Sequence, residues 1–78
     1  MVTYRIFVEA DTEARDELCS LLSSAPSGTV VKQKFAARPV RFGEDLYDQL
    51  DVVLAGQHAA ELSTWLKRRY TTDMQRIG

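Results

Sequence analysis

The sequence predicts an α+β fold, a two-layer sandwich in which two helices cover one face of a small sheet. Three observations predict it. Residues 2–9 alternate with the period of two that is typical of a half-buried strand. Residues 13–25 and 57–70 repeat apolar side chains at helical spacing. Residues 50–56 are an apolar run that ends in a glycine turn before the second helix. The order strand, helix, strand, strand, helix indicates a ferredoxin-like fold or a truncated form of it.

The first strand is followed directly by the first helix. The core residues of this strand lie on one face and are Val2, Tyr4, Ile6 and Val8. Asp11 or Thr12 supplies the oxygen that caps the helix, because a short polar side chain can accept a bond from the free backbone N–H groups there. The apolar stripe of the helix consists of Ala14, Leu18, Leu21, Leu22 and Ala25.

The second strand is predicted over residues 29–35. Its core-facing positions are Val31 and Phe35, with Gln33 between them. Val30, Lys32 and Lys34 are expected on the opposite face. The following segment, residues 36–45, contains proline and glycine and is predicted to be a loop.

The third strand is predicted over residues 46–54, where Leu50, Val52 and Leu54 alternate as core positions. Residues 44–49 have a helical turn as an alternative. The second helix carries a stripe of Ala59, Leu62, Leu66 and Tyr70. Residues 71–77 would add a short edge strand. The chain of 78 residues has room for one domain, residues 1–78.

Both helices on one face leave the other face of the sheet open. The side chains expected there are Thr3, Arg5, Phe7, Val30, Lys32 and Lys34. Trp65 lies on the flank of the second helix and, if exposed, is the first interface anchor to test. This open face and the exposed side of the second helix are the candidate interaction surfaces.

Charge is balanced in total but segregated along the chain. The formal net charge is −1, with 27% charged and 45% hydrophobic residues, which indicates a globular domain without general attraction to nucleic acid or to an anionic membrane. Acidic and basic blocks alternate, as expected of helix ends and of patches that dock a partner, or a second copy of the chain as a homodimer, by complementarity. A single cysteine and the lack of a secretory pattern predict a cytoplasmic protein.

Catalytic and metal-binding patterns are missing from the sequence, so we expect no enzyme, no cofactor and no metal. His58 is the only histidine and Cys19 the only cysteine, and neither lies in a recognisable nucleophile motif. Asp45, Asp48 and Asp51 are regularly spaced, but the remaining ligands and the glycine of a calcium loop are missing.

Nucleic-acid binding is a second candidate function. Phe7 beside Arg5, Lys32 and Lys34 on an open sheet supplies the parts of a stacking platform. A separate basic patch would consist of Arg38, Arg41, Lys67, Arg68 and Arg69. An isoelectric point near 5.7 opposes general affinity for nucleic acid, and the helix dipole already favours cations at the end of the second helix.

Three segments of the chain resemble the effector-associated constant component family, small domains encoded in bacterial conflict and immunity loci. They are the opening strand at residues 4–8, the acidic and then leucine-rich helix at residues 13–22, and residues 50–56 leading into Leu62, Ser63, Thr64, Trp65, Leu66, Lys67, Arg68 and Arg69. Members have a strand of the type L-x-V-V-L-A followed by a helix that ends in W-L and three basic residues.

The resemblance implies a non-enzymatic adaptor in bacterial defence that couples to an effector protein such as a peptidase. It carries over no catalytic residues. The chain departs from the family in its basic second strand, residues 32–35, and in lacking a clear strand after the second helix. The alternatives are a phage- or defence-associated regulator that binds nucleic acid or a nucleoprotein complex, and a ligand-binding regulatory domain.

Overall fold

A five-stranded antiparallel sheet forms one layer and two helices form the other. The structure is a computed structural model that describes residues 1–70 and 74–78. Its elements in chain order are β1 (Val2–Glu9), α1 (Thr12–Ser23), β2 (Val30–Phe35), β3 (Val40–Phe42), β4 (Asp45–Leu54), α2 (Ala59–Arg69) and β5 (Met74–Arg76). The predicted α+β sandwich is therefore confirmed.

The strand order in the sheet is β2-β4-β1-β5, with β3 paired to β4. β1 and β4 form the centre, in register from Val2 opposite Leu54 to Glu9 opposite Tyr47. Each helix connects two strands that are not neighbours in the sheet, which is the ferredoxin-like arrangement. The predicted last strand is present as β5, while residues 71–73 lie outside the described part of the chain.

The core lies between the helices and one face of the sheet. The strands contribute Tyr4, Ile6, Val8, Leu50, Val52 and Leu54, and the helices contribute Leu18, Leu22, Leu66 and Tyr70. These are core positions that the two periodicities predicted. Of the two predicted caps of α1, Asp11 or Thr12, the structure has Asp11, whose carboxylate accepts a hydrogen bond of 2.8 Å from the backbone N–H of Ala14.

The predicted facing of β2 is wrong at its first two residues. The register shifts between Val30 and Lys32, which is a β-bulge. Val30 consequently pairs with Leu54 and packs against the core, while Val31 is 54% exposed. The bulge restores the expected facing further along, so that Phe35 packs against the core.

The predicted loop over residues 36–45 is wrong in its second half. It contains β3, which pairs with β4 from Val40 opposite Tyr47 to Phe42 opposite Asp45. The helical alternative for residues 44–49 is also wrong, since β4 already begins at Asp45. Gly43 and Glu44 form a two-residue hairpin turn, and Gly43 has a φ of 65°.

α2 begins at Ala59, two residues later than the periodicity predicts. His58 is its N-cap residue but makes no capping hydrogen bond with its side chain. The apolar stripe lies on the sheet side as expected, with Leu66 and Tyr70 buried. Trp65 lies on the solvent side of the helix, where it is exposed.

Candidate interaction surfaces

The sheet face opposite the helices has an ion pair at its centre. Arg5 on β1 and Asp51 on β4 stand opposite each other in register. The Arg5 guanidinium donates from Nε to Asp51 Oδ1 at 2.9 Å and from Nη2 to Oδ2 at 3.2 Å, a bidentate arrangement. Hydrogen bonding to Asp51 raises the pKa of Arg5. Arg5, a predicted contact residue, therefore already has an intramolecular partner on this face.

Three aromatic rings lie on the same face, from the centre toward the end away from this ion pair. Phe7 and Phe42 pack edge to face with ring centroids 5.3 Å apart, and Phe42 packs against Tyr47 at 5.5 Å. We call Phe7, Phe42 and Tyr47 the aromatic cluster. Phe42 is 50% exposed. From the sequence only Phe7 is expected on this face, because residues 36–45 are predicted to be a loop and residues 44–49 have a helical turn as an alternative. The β3–β4 hairpin brings in Phe42 and Tyr47.

Opposite charges lie at opposite ends of the open face. Lys32 and Lys34 pair in register with Val53 and Asp51 at one end. At the other end, Glu9 stands opposite Tyr47 and Asp45 stands opposite Phe42. All four charged side chains belong to exposed residues. The two lysines predicted for this face are therefore at its basic end. Val30 is on the core side because of the bulge.

A shallow depression of about 360 Å³ follows the basic end of the face. Thr3, Lys32, Lys34, Gln49 and Asp51 are among the residues that line it. It is wide open to solvent, and its Asp51 is held by Arg5. Dedicated small-molecule sites bury most of the surface of a drug-sized ligand, and this depression is too shallow to do so.

The outer side of α2 forms a second surface, on the helix layer. Trp65 is 46% exposed there. Around it lie Ala60, Glu61, Thr64 and Arg68, which line a shallow groove of about 390 Å³ along the helix. We call these five residues the Trp65 surface. The sequence predicts that Trp65 lies on the flank of the helix and makes it an interface candidate only if it is exposed. Trp65 is exposed in the structure, so it remains a candidate.

The basic cluster at the end of α2 is largely engaged inside the molecule. The Lys67 ammonium lies 5.4 Å from the ring centre of Tyr4 on β1. Arg69 forms an ion pair with Glu17 of α1, and this hydrogen bond raises the pKa of Arg69. Arg68 is exposed and belongs to the Trp65 surface. Lys67 and Arg69 therefore connect α2 to β1 and α1. The sequence shows only a basic run at the end of a helix and does not predict these contacts.

The remaining predicted basic residues are on or beside the hairpin. Arg38 lies in the exposed segment between β2 and β3. Arg41 lies on β3 opposite Leu46, so by alternation it is on the helix side of the sheet and faces away from Phe42. The patch that combined Arg38 and Arg41 with the end of α2 is thus distributed over separate elements.

A polar corner joins the end of α2 to the middle of α1 through the Arg69–Glu17 ion pair. Tyr70 is only 9% exposed there. Burial, and to a lesser degree the nearby Glu17 carboxylate, raise the pKa of the Tyr70 phenol. Arg69 opposes this shift, since its guanidinium lies 5.6 Å from the Tyr70 ring centre. A depression of about 310 Å³ opens beside this corner toward Phe7 and Tyr47.

The chemically reactive side chains are not combined into a site. His58 lies 3.4 Å from the Gln57 amide and 3.7 Å from the Glu61 carboxylate. Cys19 is half-buried on α1. Within residues 1–70 and 74–78, no hydrogen bond joins the two, and no group of three or more potential ligands is arranged to hold a metal. None of the helices in the described part of the chain is long and apolar enough to cross a membrane.

No protein-family model matches the chain, and no curated protein or solved structure is significantly similar to it. The ferredoxin-like topology therefore comes from the strand order itself, and it carries no function with it.

Proposed function

We propose that this protein is a non-enzymatic adaptor domain that binds a partner protein through the Trp65 surface. The observation that carries the proposal is the exposure of Trp65. A domain of this size has few large apolar side chains with which to build a core. Leaving the only tryptophan 46% exposed therefore forgoes burial that would stabilise the monomer.

The surroundings of Trp65 fit a helical or extended protein segment. Ala60 and Thr64 are one turn apart and small, so they leave a groove beside the indole ring. Glu61 and Arg68 border the groove with opposite charges, which favours a partner that is apolar at its centre and polar at its rim. Tryptophan, with tyrosine and arginine, is enriched among the residues that dominate binding energy.

The resemblance to the effector-associated constant component family supports the same class of function. One of the three segments that carry the resemblance also places Trp65, since its strand, turn and helix position this residue on the outer side of α2. We therefore propose a cytoplasmic adaptor of a bacterial defence system, with an effector protein as the partner.

The test uses the fluorescence of Trp65, which is the only tryptophan in the chain. Proteins encoded beside this gene are purified and titrated into the domain. Binding should shift the emission of Trp65 to shorter wavelength, because the indole leaves water. Trp65→Ala should weaken binding of that partner, measured by calorimetry, by about 2 kcal/mol or more, which is about thirtyfold.

The matched control is Phe42→Ala, which removes a similarly exposed aromatic ring from the opposite face. It should leave this affinity unchanged. A partner that binds Trp65→Ala as tightly as the wild type would exclude the Trp65 surface. Loss of binding in Phe42→Ala alone would transfer the function to the sheet face.

Single-stranded nucleic acid is a second candidate, because three rings and three cations share the open face of the sheet. Two observations oppose it. The aromatic rings pack edge to face against each other, which limits flat stacking of a base, and Arg5 is held by Asp51. Titration with a labelled single-stranded oligonucleotide at low salt tests it. Binding that falls with salt and is lost in Lys32→Ala with Lys34→Ala would establish this function.

A further inference from the structure

The open face of the sheet is self-complementary in charge. Its basic end holds Lys32 and Lys34, and its acidic end holds Glu9 and Asp45. On β4, Gln49 is four residues from Asp45 and four residues from Val53, the partner of Lys32. A two-fold axis across the strands at the level of Gln49 therefore exchanges the two ends.

We propose that this face pairs two copies of the chain, sheet against sheet, with their strands antiparallel. Lys32 of each copy then lies over Phe42 and beside Asp45 of the other copy, and Glu9 lies over Arg5, so opposite charges meet at both ends of the interface. This is the isologous geometry of a two-fold dimer, in which one patch serves both partners. The charges favour this orientation, because strands running the same way would bring the two basic ends together and the two acidic ends together.

The apolar part of the interface is the aromatic cluster. Phe7 pairs in register with Gln49 and so lies close to the proposed axis. Phe42 lies toward the acidic end, so the rotation brings it over Val53 and the aliphatic stem of Lys32 in the other copy. Phe42 is 50% exposed in the monomer, and the dimer would cover it.

The size of the face sets the strength expected of this dimer. Four strands about 4.8 Å apart and eight residues of about 3.4 Å each give a face of roughly 500 Å² per copy. The total of roughly 1,000 Å² is at the lower limit for a specific interface, so the dimer is weak and depends on salt.

The sheet edge is a less suitable site for self-association. The edge strand β2 carries a bulge at its start and two lysines, and both features discourage a further strand from pairing there. The face has no such protection. Pairing through it also leaves both helix layers outward, so each dimer would display two copies of the Trp65 surface.

Charge-reversal variants test the proposal, with the oligomeric state measured by sedimentation velocity over a range of concentrations at low salt. Lys32→Glu with Lys34→Glu makes both ends of the face acidic, and Glu9→Lys with Asp45→Lys makes both ends basic. Each variant should be monomeric where the wild type forms dimers, and an equimolar mixture of the two should form a heterodimer. The control, Glu13→Lys with Asp16→Lys on α1, should form dimers as the wild type does.

A wild type that stays monomeric at millimolar concentration would overturn the proposal. Variants that dimerise alone, or a mixture that stays monomeric although circular dichroism shows both variants folded, would overturn it equally. So would a face occupied by single-stranded nucleic acid in a protein that does not self-associate. None of these outcomes bears on Trp65, which is on the other layer.

Discussion

Tyr70 lies at the end of α2, beside the Glu17–Arg69 ion pair that joins the two helices. Its phenol is buried in the core cluster. Burial favours the neutral phenol over the phenolate, and Glu17 adds to the effect by repelling a second negative charge. The Arg69 guanidinium attracts the phenolate and reduces the shift without reversing it.

We expect this raised pKa to make the folded state sensitive to alkali. The folded chain keeps the Tyr70 proton to higher pH than the unfolded chain does. The unfolded chain therefore binds fewer protons above about pH 10, and the free energy of unfolding falls as pH rises through that window. Urea unfolding at a series of alkaline pH values should show a shallower fall for Tyr70→Phe than for the wild type. Tyr47→Phe, on the sheet face, is the control, and an equal slope in all three proteins would contradict the assignment.

Individual residues were predictable where one local force decides their position. Asp11 caps α1 because its carboxylate reaches the free backbone N–H of the residue three positions later. Both partners are close in the chain, so the local sequence is enough to predict this contact. Lys67 and Arg69 were not predictable in the same way. Their partners Tyr4 and Glu17 are distant in the chain, and only the packed structure brings them together.

At the scale of elements, the hairpin of β3 and β4 creates the aromatic cluster. Residues 36–45 contain proline, glycine and many charged residues, which resemble a loop when read locally. β3 forms because β4 extends beyond the core and offers a free edge to its other side. The bulge in β2 has a similar origin, since neither Val30 nor Val31 has a local reason to face the core. Pairing across strands decides both.

The turn of this hairpin requires glycine. Gly43 has a φ of 65°, while Glu44 is not in the positive-φ region, a combination typical of a type II′ turn. A Cβ at position 43 would meet no atom within 4 Å, so the cost of a side chain is in the backbone alone. Gly43→Ala should lower the free energy of unfolding by about 1 to 2 kcal/mol, or detach β3 locally.

Denaturant unfolding measures the first outcome, and amide hydrogen exchange at β3 measures the second. Glu44→Ala is the matched control, because its backbone conformation suits any residue, and it should change stability by less than about 0.5 kcal/mol. If Gly43→Ala and Glu44→Ala had the same stability and the same exchange rates, the turn would not depend on glycine.

For the whole molecule, the sequence predicted the layers but not how the charges are arranged on the open face. Periodicity determines which side of each strand is apolar, and so it gives the sandwich and its core. Segregated charge indicated docking patches, yet their arrangement on one face depends on the register of four strands. The same register places Lys34 opposite Asp51 and Glu9 opposite Tyr47, which no single segment records.

If two copies pair through this face, the stability of the protein should depend on its concentration. Only folded chains can pair, so association stabilises the native state by mass action. The midpoint of thermal unfolding should therefore rise with protein concentration at low salt. At about 1 M salt the screening length falls to about 3 Å, and most of this dependence should disappear because the pairing is selected by exposed charges. In Lys32→Glu with Lys34→Glu the midpoint should be independent of concentration at both salt levels. A wild-type midpoint that is constant over the same range would mean that the face stays open, and the aromatic cluster would then be available to another partner.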